Sequence, residues 1–172
     1  MLKLVGSILV VTAGIGMAYS IRRDMENHLR RLYDIRKLFV DISYAAYESM
    51  QPVEILLGCF IRSRDEALNE VCMEIAERLI EKKEGKGEVV WKSVFAEHKS
   101  VLELTDEEAE IVEQAGSAFF GKSVDENRKH LSLTLERLDF LIETARGEQK
   151  EKQKVYSTVS VLLGVMLVIL LI

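Results

Sequence analysis

The chain has 172 residues and a net charge of −5, which allows one soluble domain at most. Of its 23 basic residues only Lys3 lies outside 22–154, and all 28 acidic residues lie inside, so that middle stretch carries a net −6. No strongly basic face is available to neutralise phosphates, which argues against nucleic acid as a partner.

The first element is the charge-free run Leu4 to Ile21, 18 residues long. At about 1.5 Å of rise per residue it reaches roughly 27 Å as a helix, close to the thickness of a hydrocarbon core. Ala18-Tyr19-Ser20 offers a faint signal-peptidase site. The single basic residue before the run, the run's length and the Arg22-Arg23 pair after it favour an uncleaved span. The helix is expected to continue to about Ser49, because Leu32, Ile35, Phe39, Ile42 and Ala46 are spaced 3, 4, 3, 4 and share one face. Pro52 suits the first turn of a second helix carrying Val53, Leu56, Leu57, Phe60 and Ile61.

Capping boxes at Ser63/Glu66, Thr105/Glu108 and Ser123/Glu126 mark three further helix starts. The third helix is expected from Asp65 to Lys83, the fourth from Val89 to His98 with Val90, Trp91, Val94 and Phe95 inward, and the fifth from Asp106 to a left-handed Gly121. The sixth starts near Val124, carries a second seam at Leu131, Leu135, Leu138, Ile142 and Ala145, and continues into the charge-free run Val155 to Ile172. The fold class is therefore all-α: a bundle of six helices whose first and last members each extend into a transmembrane span. The domains are 1–21, a first span; 22–154, a helical bundle; and 155–172, a second span. Both cysteines, Cys59 and Cys72, sit on helical patterns and read as buried reduced thiols.

Arg22, Arg23, Arg30, Arg31, Arg146, Lys150, Lys152 and Lys154 lie near the spans on the bundle side, against Lys3 and the α-amino group on the other. The positive-inside bias places the bundle in the cytoplasm. His28, His98 and His130 have no metal-ligand spacing, and no HExxH, CxxC or Walker loop is present. Catalytic, cofactor and metal residues are therefore expected to be none, and the chain is expected not to be an enzyme.

The opening Met1-Leu2-Lys3-Leu4-Val5-Gly6, the two terminal spans, the helical middle and the closing run from Leu162-Leu163-Gly164-Val165 to Leu171-Ile172 resemble the stage III sporulation protein AB family. That resemblance implies a component of a secretion-like sporulation channel in the mother-cell membrane around the forespore. The soluble part is also similar to the cytoplasmic domain of type II secretion F-family platform proteins. The shared order is Gln51-Pro52-Val53, Gly87 before Val90-Trp91, and Glu113-Gln114-Ala115-Gly116 before Gly121. F-family proteins usually carry two such domains and this chain has one.

The favoured function is a non-enzymatic platform. Its partners would be a cytoplasmic secretion-type ATPase, other channel components and membrane lipid, with a homo-oligomer also allowed. Glu48, Met50, Gln51 and Lys122, at the corners furthest along the chain from both spans, are the expected partner-binding residues. The alternative is a membrane-anchored helical-bundle signalling or regulatory protein, but no more than about three residues at each end would remain on the far side for sensing.

Overall fold

A computed structural model describes the backbone of residues 2–48, 53, 57, 65–81, 86–121 and 123–171, with the side chains of many residues near both ends outside that set. Among the described residues the chain is all-helical, as expected. The bounded helices are α1 (Leu2–Glu48), α2 (Glu66–Glu81), α3 (Gly87–His98), α4 (Asp106–Phe120) and α5 (Val124–Leu171). That is five rather than the expected six. Most of the helix expected after Pro52 lies outside the described residues, although Val53 and Leu57 are helical and buried.

Among the described residues no helix is long and apolar enough to cross a membrane. The expected spans, Leu4–Ile21 and Val155–Ile172, fall mostly on residues whose side chains lie outside the described set. The backbone there is helical.

The chain divides into two compact units. One comprises Met1–Leu29 with Glu143–Ile172, and the other is Arg30–Ile142. Described ion pairs in the first join neighbouring turns of one helix: Arg22 with Glu26 at 2.9 Å and Lys152 with Glu148 at 3.3 Å.

The second unit holds the core. Leu32, Ile35, Phe39 and Ile42 of α1 are fully buried, as the 3, 4, 3 spacing requires, while Ala46 is half-buried. On α5, Leu131, Leu138 and Ile142 are buried; Leu135 and Ala145 are only half-buried, and Thr134 and Leu141 take inward places instead. The Arg36 guanidinium of α1 grips Asp139 of α5 with two N–H donors, and the pair holds the Asp139 carboxyl below the usual range.

Trp91 of α3 is the centre of the packing. Its ring lies 4.8 Å from Phe95, 5.2 Å from Phe119 and 5.9 Å from Phe39. Its indole N–H donates to the Val112 carbonyl at 2.8 Å, so the ring is buried without an orphaned donor. One turn further along α4, a Cβ on Gly116 would stand 2.8 Å from Trp91 Cδ1. Glycine is unfavourable inside a helix by about 1 kcal/mol, and here it leaves room for the indole. Gly87 has a similar role, because a Cβ there would overlap the Phe120 ring. Two of the three glycines of the F-like sequence order, Gly87 and Gly116, therefore serve aromatic packing between α3 and α4.

The helix starts divide. Thr105 and Glu108 form a complete capping box: the Glu108 N–H donates to Thr105 Oγ1 at 3.3 Å and the Thr105 N–H donates to Glu108 Oε2 at 2.8 Å. Ser123 accepts from the Glu126 N–H at 3.5 Å. At the start of α2, Ser63 of the expected box lies outside the described residues. Asp65 is the cap, with Oδ1 accepting from the N–H groups of Ala67 at 3.1 Å and Leu68 at 3.3 Å.

Gly121 corrects an expectation. It is extended, with φ −68° and ψ 163°, rather than left-handed. It is small because a Cβ there would overlap the Asn127 side-chain oxygen and stand 2.8 Å from the Ser117 carbonyl. Among the described non-glycine residues the left-handed one is Glu103, at φ 51°. The Leu104 N–H donates to Lys99 O at 3.1 Å and the Glu103 N–H to Ser100 O at 3.2 Å, a Schellman ending in which Glu103 occupies the place glycine usually takes.

Candidate partner-binding surfaces

The expected binding corners are not placed. The side chain of Glu48, and Met50, Gln51 and Lys122 entirely, lie outside the described residues. The described residues instead present a polar clamp, a charged ladder, a groove and an exposed helix face.

The clamp is Arg31, which is mostly buried. Its Nε donates to Asp65 Oδ2 at 2.5 Å, and its Nη1 donates to the Leu102 carbonyl at 2.5 Å and to Glu103 Oε2 at 3.2 Å. One guanidinium thus ties α1 to the cap of α2 and to the end of the α3 turn. Asp65 sits at the positive end of α2 and Arg31 at the negative end of the α3 turn, so both charges suit the helix dipoles they meet. Nε and Nη1 both meet protein acceptors, which makes the clamp a structural device.

The ladder runs between α2 and α3. Arg78 pairs with Glu74 and with Glu97, the latter at 2.7 Å, and His98 Nε2 stands 3.3 Å from Glu74 Oε2. The paired Arg78 holds the Glu97 carboxyl below its usual range. Cys72 of α2 is buried as expected, and burial pushes its thiol up to about 12, far from a reactive thiolate. Cys59 lies outside the described residues. Among the described residues no group of three or more His, Cys, Asp or Glu side chains is placed to hold a metal ion, and no buried side-chain polar atom lacks a hydrogen-bond partner.

The groove lies between α4 and α5 and measures about 620 Å³. Ile111 forms part of its floor, and Leu133 and Phe140 stand beside it, 49% and 69% exposed. Arg137 Nη1 crosses it to Gln114 Oε1 at 2.8 Å, and Gln114 Nε2 donates on to Glu110 Oε1 at 2.9 Å. Ser117 and Thr134 give their hydroxyls to carbonyls of their own helices. These polar groups are occupied within the protein, which leaves an occupant the apolar side chains and the exposed carboxylates of Glu107 and Glu136. The helix face is on α1, where Tyr33, Val40 and Tyr44 are 43%, 38% and 70% exposed.

Sequence reading missed both surfaces. Leu133 and Phe140 fall outside the seam Leu131–Leu135–Leu138–Ile142, and Tyr33, Val40 and Tyr44 fall outside the seam of α1. Apolar residues spaced 7 or 11 apart and out of register with a seam are the signal that marks such a second face.

The stage III sporulation protein AB family model matches residues 3–172 of this chain. No curated protein matches it. A solved structure of a stage III sporulation protein AB aligns with a TM-score of 0.68 at 14% identity, covering 73% of this chain and 98% of that one, and so shares the fold. The chain belongs to the stage III sporulation protein AB family.

Proposed function

We propose that this sporulation protein is a non-enzymatic, membrane-held platform. In this reading residues 1–21 and 155–172 each span the mother-cell membrane around the forespore, and residues 22–154 form a cytoplasmic bundle. The bundle couples a cytoplasmic secretion-type ATPase to the membrane parts of a channel. The observation that carries the reading is that both ends of the chain are single long helices, Leu2–Glu48 and Val124–Leu171. Each joins an 18-residue charge-free run to a seam buried in the helical core. A helix that begins in lipid and ends in a protein core suits a part that must hold others in place.

The test uses the full chain in sporulating cells. A single cysteine at Lys86, in a version lacking Cys59 and Cys72, should resist a membrane-impermeant thiol reagent, whereas one beside Met1 should react. The double variant Glu48→Lys with Lys122→Glu should then retain less of the partner ATPase on pull-down and lower spore yield. Labelling at position 86 in intact cells overturns the topology. Undiminished ATPase capture with normal spore yield overturns the assignment of these corners.

A further inference from the structure

We propose that the α4–α5 groove of one copy of this chain receives the exposed α1 face of a second copy, so that the protein assembles head to tail. Both surfaces belong to the unit Arg30–Ile142. The α1 face is a stripe, Tyr33, Lys37, Val40 and Tyr44, spaced 4, 3, 4. That spacing sets apolar knobs along one line of a helix, the form that a helix-in-groove contact reads.

The dimensions agree. The stripe covers eleven residues of rise, roughly 16 Å, and the groove walls, Glu107 to Ser117 on α4 and His130 to Phe140 on α5, each cover ten, roughly 15 Å. The charges agree as well, because the groove lining carries two carboxylates, Glu107 and Glu136, against one guanidinium, Arg137. Lys37 lies within the stripe, exposed, with no ion pair among the described residues, Asp41 one turn on included. Glu107 and Glu136, on opposite walls of the groove, are exposed carboxylates with no ion pair among the described residues. Seating the stripe covers Tyr33, Val40 and Tyr44 together with Leu133 and Phe140, and brings the cation to the two carboxylates.

The donor and acceptor surfaces are different, so the contact is heterologous. Each copy that gives its stripe keeps its own groove open for the next, which leads to a ring or an open array. The inference stands whether or not the chain engages an ATPase.

Cross-linking of the full-length protein in detergent tests it. Two differently tagged versions are mixed, both with Cys59 replaced by serine, one carrying Val40→Cys and the other Phe140→Cys. A flexible bismaleimide should give a dimer bearing both tags, and neither version alone should cross-link to itself. Lys37→Glu in the first should lower the yield roughly fivefold, as reversal of one exposed charge contact does. Adding Glu107→Lys with Glu136→Lys to the second should restore it, and an unchanged helical circular dichroism signal shows that these exposed positions do not disturb the fold. Absence of a two-tag dimer overturns the proposal. So do self-linking of Phe140→Cys alone, cross-linking of position 140 to a different protein instead, and a yield indifferent to Lys37→Glu.

Discussion

Trp91 and Arg31 both join helices distant in sequence, by opposite physics. Trp91 does so by area: the indole is wholly buried among Phe39, Phe95 and Phe119, and needs one acceptor, the Val112 carbonyl. Arg31 does so by points: three oxygens, from Asp65, Leu102 and Glu103, each meet a guanidinium N–H. Apolar burial is non-directional and tolerates repacking. A buried cation tolerates no missing partner. The aromatic region should therefore set how stable the bundle is, and the clamp should set how its helix ends are registered.

Three substitutions would break or sharpen that contrast. The largest effect is expected from Trp91→Ala, which should cost about 3–5 kcal/mol by leaving a cavity against Gly116 and Phe119. The shift in the urea midpoint, followed by far-ultraviolet circular dichroism, measures it. A cost below about 1 kcal/mol would mean that the aromatic cluster is not the centre of stability.

Arg31→Met should cost roughly 2–4 kcal/mol, because Asp65 and the Leu102 carbonyl lose a charged donor in a mostly buried place. Hydrogen exchange should rise first at the α2 start and around Leu102. Exchange rising evenly through the bundle would erase the distinction between the two regions.

The smallest effect carries the opposite sign. Glu103→Gly relieves a left-handed side-chain residue and should stabilise by about 0.5–1 kcal/mol. In wild type part of that gain is offset by loss of the exposed Arg31–Glu103 pair. The gain should thus be larger in the Arg31→Met background. Equal gains in both backgrounds would show that the pair contributes nothing.

How legible these regions were follows from the same physics. The α1 seam, the inward face of α3 and the box at Thr105 were all readable, because each is a local pattern on a single helix. The cap at Asp65 was not singled out, and its carboxylate also meets Arg31, 34 residues away, a contact that local spacing does not show. Arg31 read as one of the positive charges that orient the chain in the membrane, and nothing in its neighbours along the chain shows that it is committed to three oxygens. Gly121 followed the usual rule for helix ends, but its size is required by Asn127 rather than by its own φ.

By itself the sequence determined the helical class, the extent of the two long helices and the charge partition, because propensity and periodicity act over a few residues at a time. Only the tertiary structure decided which glycines make room for rings, which arginine is a clamp and which apolar residues line a groove. Those features depend on side chains from different helices meeting at one point, and chain spacing carries no record of such meetings.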